Sequence, residues 1–135
     1  MPLTQPISES DATGKVKEIF DEIRQRRGLA EVPLFWRTIA VNPDYLEATW
    51  NKLKVVMAPS RIDRKTKEMI AVAISATNNC DYCLRSHTDA LRDMGVDDAT
   101  LIELMGVVDF FNGSNAIASG LRVEYEPPVY AEAAR

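Results

Sequence analysis

The sequence predicts an all-α protein, a helical bundle of about seven helices. Apolar residues recur at helical spacing throughout the 135 residues, and no segment shows the alternation of a half-buried strand. Helix caps and breakers separate these stretches. With 46% hydrophobic and 27% charged residues the composition is that of a globular protein. The length fits a single domain over residues 1–135, without repeats or an internal boundary.

The first half of the chain predicts three helices. The N-terminal helix is expected over residues 9–27 and ends before Gly28. A second, short helix is expected from 33 to 41. Asn42 and Pro43 then read as an N-cap and a first helical residue, which open a third helix ending near Met57. The stripe that defines the first helix consists of Val16, Ile19, Phe20 and Ile23.

The second half predicts four more helices. Asp63 caps a fourth over residues 64–77, and a fifth runs from about Cys80 to Met94 and stops at Gly95. The sixth starts at Asp97 or Asp98, and a seventh covers 109–122, weakened by Gly113. The tail from Pro127 to Arg135 is expected to be irregular and peripheral.

Residues 69–76 in the fourth helix are apolar around nearly the whole circumference. Such a helix needs cover on most sides, which a small domain obtains most easily from another subunit. A homo-oligomer is therefore expected. Aromatic positions are expected in the core: Phe35, Trp36, Trp50, Phe110 and Phe111.

Charge and hydropathy exclude several classes of protein. The net charge of −4 argues against a nucleic-acid-binding protein, which would show a basic face. The N-terminus lacks the basic start and apolar stretch of a signal peptide, and the longest apolar run is too short to span a bilayer. A cytoplasmic protein without a membrane partner is predicted. In that compartment a Cys-x-x-Cys pair is more often catalytic or metal-binding than structural.

The chemistry is concentrated in four residues, Glu68, Cys80, Cys83 and His87. The chain holds two cysteines and one histidine, and all three fall within eight positions. On a helix, residues three and four apart share a face, so the thiols and the imidazole line one stripe. Each residue alone is more often structural, but this joint occurrence predicts a redox or metal site.

The placement of these residues predicts a proton relay. Both thiols fall in the first turn of a helix, where free N–H groups and the helix dipole favour a thiolate. His87, one turn beyond Cys83, can accept its proton directly or through a water. If the preceding helix packs antiparallel, Glu68 approaches His87 and orients it. Cys80 is then positioned to close a disulfide with Cys83.

From residue 32 to about 122 the chain resembles the alkylhydroperoxidase AhpD-like, or carboxymuconolactone decarboxylase, superfamily. The ordered Glu, Cys-x-x-Cys and His spacing is a specific signature, whereas a bare Cys-x-x-Cys is not. The segments that carry the resemblance are Phe35–Ala40 with Asn42-Pro43, Arg64–Ala76 with Glu68, Cys80–Thr88, Gly95 and Phe111-Asn112.

The resemblance implies an all-helical fold in trimers or hexamers and a cofactor-free, metal-free peroxidase. Its substrate would be hydrogen peroxide or a small organic hydroperoxide, and an unidentified thiol or dithiol would donate electrons. Carried over residue by residue, Cys83 is peroxidatic and Cys80 resolving, with His87 and Glu68 as the relay. One departure is Tyr82, which stands where well-known members have a second histidine between the cysteines.

Three other functions compete with the peroxidase. The thiols and His87, with or without Glu68, could bind zinc, although this helical spacing is unusual for a zinc module. The chain could also be a decarboxylase-like lyase, although such members generally lack the cysteine pair. Finally, it could be a non-catalytic oligomer in which the dithiol senses redox state.

Overall fold

The computed structural model describes residues 3–131, and within that range the protein is all-α, as predicted. Six helices are formed instead of about seven. They are α1 (Gly14–Arg27), α2 (Leu34–Ile39), α3 (Pro43–Met57), α4 (Arg64–Thr77), α5 (Asp81–Asp93) and α6 (Asp98–Gly120).

The chain divides into two compact units at Pro59 and Ser60, and each is described by itself. In the first unit, α1, α2 and α3 enclose a core in which Trp36 meets the edge of Trp50 at 5.2 Å between ring centroids. The predicted stripe of α1 lies in this core. The buried residues are Ala12, Val16, Ile19, Phe20, Ile23, Val32, Trp36, Ala40, Leu46 and Trp50. The single domain over residues 1–135 stays a prediction.

Helix α1 begins at Gly14, so the prediction that it starts at residue 9 is wrong. The Ser8 hydroxyl accepts a hydrogen bond from the Asp11 amide at 3.1 Å, and such a local turn competes with helix formation. The Glu9 carboxylate instead accepts from the Val32 amide at 2.6 Å. At the start of α3, the predicted cap is confirmed, since Asn42 accepts from the Tyr45 amide at 3.1 Å.

The second unit contains α4, α5 and α6. The predicted cap of α4 is confirmed: the Asp63 carboxylate accepts from the Thr66 amide at 2.8 Å. Gly95 ends α5 with φ of 84°, a left-handed conformation that suits glycine. The core contains Val72, Leu91 and Val96, with Met69, Leu84, Leu101, Leu104 and Met105 packed against it.

Helix α6 replaces the two helices predicted over this segment. Asp97 caps it, accepting from the Thr100 amide at 2.9 Å, and Gly113 does not interrupt it. A glycine costs a helix about 1 kcal/mol, but it keeps its N–H and causes no clash, so it weakens a helix without ending it.

The aromatic prediction is right for two of the five residues. Trp36 and Trp50 are buried, but Phe35, Phe110 and Phe111 are 43%, 66% and 55% exposed. Phe110 and Phe111 lie on α6, none of whose residues is fully buried. Helical spacing shows that a face is apolar, but it does not show whether the same subunit covers it.

The described part of the predicted tail, residues 127–131, is irregular as expected, and residues 132–135 of that prediction lie outside the described residues. Over the range that the structure describes, no helix combines the length and the apolar character needed to cross a bilayer.

Candidate active site

A tight turn between α4 and α5 sets the position of the cysteines. The Cys80 amide donates to the Ser75 carbonyl at 3.0 Å, and the Asn79 amide donates to the Ala76 carbonyl at 3.3 Å. These two bonds form a Schellman motif, which places one residue in the left-handed region. That residue is Asn79, with φ of 56°. The motif stops α4 and starts α5 within three residues.

Cys80 is the N-cap of α5 and is joined to Cys83 by a disulfide, with 5.3 Å between their Cα atoms. The Cys80 sulfur also accepts a hydrogen bond from the Cys83 amide at 3.3 Å. The helix therefore begins one residue later than the predicted Cys80 start. The geometry brings the two sulfurs together as the sequence predicted, and both lie at the positive end of the α5 dipole.

Glu68 and His87 form the second part of the site. The His87 Nδ1 and the Glu68 Oε2 are 2.6 Å apart. Glu68 is 3% exposed, whereas the His87 side chain is 31% exposed. A carboxylate beside Nδ1 accepts the Nδ1–H, so Nε2 is the nitrogen that exchanges protons when the ring is neutral.

Helices α4 and α5 run antiparallel, because Ser75 meets Cys80 at one end while Glu68 meets His87 at the other. The predicted approach of Glu68 to His87 is therefore confirmed. Cys83 lies one helical turn before His87 on α5, as the sequence requires. Whether these four residues catalyse a reaction stays a prediction.

Sequence analysis missed Arg64 as a neighbour of the site. Its Nη2 lies 3.6 Å from Glu68 Oε1, the carboxylate oxygen that does not face His87. The two residues are four positions apart on α4, a spacing at which helical side chains meet. That spacing was visible in the sequence, but Arg64 was assigned only to the start of the helix.

The four candidate zinc ligands are engaged with one another in this structure. Among the described residues, no three histidine, cysteine or acidic side chains are grouped as a metal site would require. His87 Nδ1 is engaged by Glu68, and the two sulfurs are bonded to each other.

Tyr82, the residue between the cysteines that departs from the well-known members, is 43% exposed.

A sequence profile of the carboxymuconolactone decarboxylase family matches residues 43–124, which include all four predicted site residues. The chain belongs to this family. Among solved structures, the alkylhydroperoxidase AhpD core of Rhodospirillum rubrum is similar, with a TM-score of 0.89 and 32% identity. The alignment covers 93% of this chain and 95% of that one. The resemblance to the AhpD-like superfamily is thereby confirmed.

Proteins named alkyl hydroperoxide reductases are also similar to this member of the family. One from Mycobacterium tuberculosis is 29% identical over 114 residues, 83% of this chain and 32% of its own length. Another, AhpD of Solibacter usitatus, is 28% identical over 100 residues, 74% of this chain and 55% of its own length. The chain thus spans about a third to just over half of these relatives.

Proposed function

We propose that this protein is a thiol-dependent peroxidase, a dithiol oxidoreductase that reduces hydrogen peroxide or small organic hydroperoxides. The observation that carries the proposal is the 2.6 Å contact between Glu68 and His87, made on the two helices that meet at the joined Cys80 and Cys83. The names of its relatives, alkyl hydroperoxide reductases, support the same class of reaction.

The first proposed step oxidises Cys83. His87 Nε2 accepts the thiol proton, and the Cys83 thiolate attacks one oxygen of the hydroperoxide. The O–O bond breaks, the sulfur becomes a sulfenic acid, and the departing alkoxide takes the proton back from His87 as the alcohol leaves. Glu68 accepts the Nδ1–H throughout and stabilises the imidazolium while it exists.

The second step resolves the sulfenic acid. The Cys80 thiol attacks the Cys83 sulfur, a disulfide forms, and water is released. The Cα atoms of the pair lie 5.3 Å apart, within the range that a disulfide spans without backbone movement, so we expect the resolving step to need little motion. An external thiol or dithiol then supplies two electrons and two protons to reopen the disulfide. We place this cycle in the cytoplasm, where thiol reductants keep such pairs reduced.

Turnover tests the proposal. The reduced protein should consume hydrogen peroxide and a small organic hydroperoxide repeatedly when dithiothreitol is the reductant. A Cys83→Ser variant should consume neither above the background of the reductant. Equal rates for the two proteins would contradict the proposal. Metal analysis of the purified protein, together with a thiol count before and after peroxide, tests the zinc alternative.

A decarboxylase-like lyase is the second candidate, because the matching family carries the name of a decarboxylase. Such a reaction would not use thiol redox chemistry. If the protein is such a lyase, its Cys83→Ser variant should still decarboxylate a lactone substrate, whereas it should not turn over peroxide.

We further propose that the protein is a homo-oligomer, a trimer or hexamer by resemblance. Ile70 and Ile74 on α4 are 46% and 55% exposed, and α6 carries further exposed apolar side chains. The two helices form an open groove of about 370 Å³ that includes Ile74, Val107 and Phe111. Exposed apolar surface of this kind marks interaction sites, and we assign it to contact with a second copy of the chain. Light scattering at low concentration should show an assembly, and a thermally stable monomer would contradict this.

A further inference from the structure

The two oxygens of the Glu68 carboxylate have different partners. Oε2 contacts His87 Nδ1 at 2.6 Å, whereas Oε1 lies 3.6 Å from the Arg64 guanidinium. We propose that Arg64 is a positioning residue: its permanent charge helps to keep the Glu68 carboxylate ionised when His87 is neutral, and so makes it harder for the pair to take up an additional proton.

Burial is the reason that Glu68 needs a permanent cation. The residue is 3% exposed, and burial without a charge partner favours the neutral form of a carboxylic acid. His87 compensates the negative charge only while its ring is protonated. Whenever Nε2 has released its proton, the imidazole is neutral, and Arg64 is the partner whose charge persists. A guanidinium does not lose its proton in proteins, so its contribution is independent of pH.

The distance and the exposure of Arg64 limit how far it can shift the titration of Glu68 and His87. A separation of 3.6 Å is that of an ion pair and is too long for a hydrogen bond, and the Arg64 side chain is 46% exposed. Solvent therefore screens part of the interaction. We expect Arg64 to shift the titration of the pair modestly and to leave the contact between Glu68 and His87 in place.

Other charges on the packed helices are engaged elsewhere or exposed. On α5, Asp81 pairs with Arg85, and Arg92 pairs with Asp98 at the start of α6. The remaining acidic residues of α6, Glu103 and Asp109, are exposed, as is Lys65 on α4. Cys83, on the His87 face of α5, does not titrate while it is in the disulfide. Lys67 and Tyr82 also form interactions, and both side chains stay unchanged in the test below.

His87 is the only histidine of the chain, so the test can observe one imidazole. The ring nitrogens of tag-free, ¹⁵N-histidine-labelled protein are titrated by NMR in the disulfide form, in which no thiol interferes. The variants are Arg64→Met, Arg64→Lys as the conservative rescue, and Lys65→Met as the matched loss of a neighbouring charge. Circular dichroism checks that each variant is folded.

Removal of a cation makes proton binding by its neighbours easier. In Arg64→Met we expect the titration of the Glu68–His87 pair to move to higher pH by about half a unit, the scale of a partly screened ion pair. Arg64→Lys should restore most of the wild-type value, and Lys65→Met should shift it by less than Arg64→Met does. Equal shifts in Arg64→Met and Lys65→Met, or a shift to lower pH in Arg64→Met, would overturn the inference.

A prediction for enzyme kinetics also follows, and unlike the NMR titration it rests on the proposed peroxidase function. If catalysis requires the pair without its additional proton, the acidic limb of the kcat/KM profile of Arg64→Met should move to higher pH together with the NMR titration. At pH values below that limb, kcat/KM should be about threefold lower than in the wild type. Because the NMR readout needs no turnover, an inactive protein with the predicted titration shift would sink the peroxidase and leave the role of Arg64 standing. An active protein whose limb stays fixed in Arg64→Met would overturn the role of Arg64 in catalysis.

Discussion

Glu68 and His87 are 19 positions apart in the sequence and are joined by a 2.6 Å contact between Oε2 and Nδ1. Because Nδ1 faces the carboxylate, the histidine keeps Nε2 for proton exchange. A buried carboxylate that orients a histidine beside a nucleophile is found in known proton relays, and we propose the same role here. The contact is the basis of the first prediction.

Glu68→Gln should slow peroxide reduction by roughly tenfold or more without unfolding the protein, since general acid–base contributions are at least of this size. Glutamine keeps the size and an acceptor but removes the charge that stabilises the imidazolium. The pKa of the Cys83 thiol should therefore rise, and the pH–rate profile should shift upward. The control is Glu103→Gln, which removes an exposed carboxylate from α6. Unchanged rate and profile in Glu68→Gln would leave only Cys83 and His87 in the mechanism.

In the reduced protein, Cys83 should be the more reactive thiol. The Cys83 amide that donates to the Cys80 sulfur favours a thiolate on Cys80, whereas His87 lies one turn from Cys83. We expect the histidine to dominate, because a base that accepts the proton outweighs one weak N–H···S bond. Limited alkylation at neutral pH, followed by peptide mass spectrometry, should label Cys83 first. Preferential labelling of Cys80 would contradict this.

The turn before the cysteines should be sensitive to the residue at position 79. Asn79 has φ of 56°, which asparagine tolerates and a β-branched residue does not. Asn79→Val should lose about 1–2 kcal/mol of unfolding free energy, and Asn79→Gly should lose none. The matched control is Asn78→Val, at a position with φ of −87°. Equal stability of the two valine variants in urea would show that this conformation is not a constraint.

Acid should weaken the first unit partly through Glu22. Hydrogen bonds from Lys54 at 2.8 Å and from the Trp50 indole at 2.9 Å lower the pKa of this carboxyl. A lowered folded-state pKa means that the stabilisation is complete above the unfolded value, about 4.3, and is lost as pH falls through the folded value. With solvent screening allowed for, the loss is about 0.5–1 kcal/mol.

Tryptophan fluorescence measures this effect, since both tryptophans lie in the core of the first unit. Between pH 7 and pH 3, the urea midpoint of the wild type should fall more than that of Glu22→Gln. The control is Glu18→Gln, which changes an exposed glutamate on the same helix. Equal pH dependence of wild type and Glu22→Gln would contradict the assignment.

Local features of this fold follow from the sequence more directly than long-range ones. The caps at Asn42 and Asp63 and the stop at Gly95 were predicted correctly, because each depends on a side chain or φ value within a few residues. The meeting of Glu68 and His87 was also predictable, since a short turn forces neighbouring helices to pack antiparallel.

The predictions that failed concern helix continuity and tertiary packing, which the local sequence does not determine. Two helices were predicted over this segment, the second starting at Asp109 and weakened by Gly113, whereas α6 runs unbroken from Asp98 to Gly120. Phe110 and Phe111 were expected in the core, but they are 66% and 55% exposed. Periodicity identifies an apolar face and leaves its partner undetermined.

The most direct measurement uses the reduced Cys80→Ser variant, treated with one equivalent of hydrogen peroxide in the presence of dimedone. Mass spectrometry should find dimedone on Cys83, because the sulfenic acid persists when the resolving thiol is missing. Wild-type protein treated in the same way should contain an intramolecular Cys80–Cys83 disulfide and no adduct. Oxidation found only in disulfides between chains, or no oxidation of Cys83 at all, would contradict the proposed peroxidase.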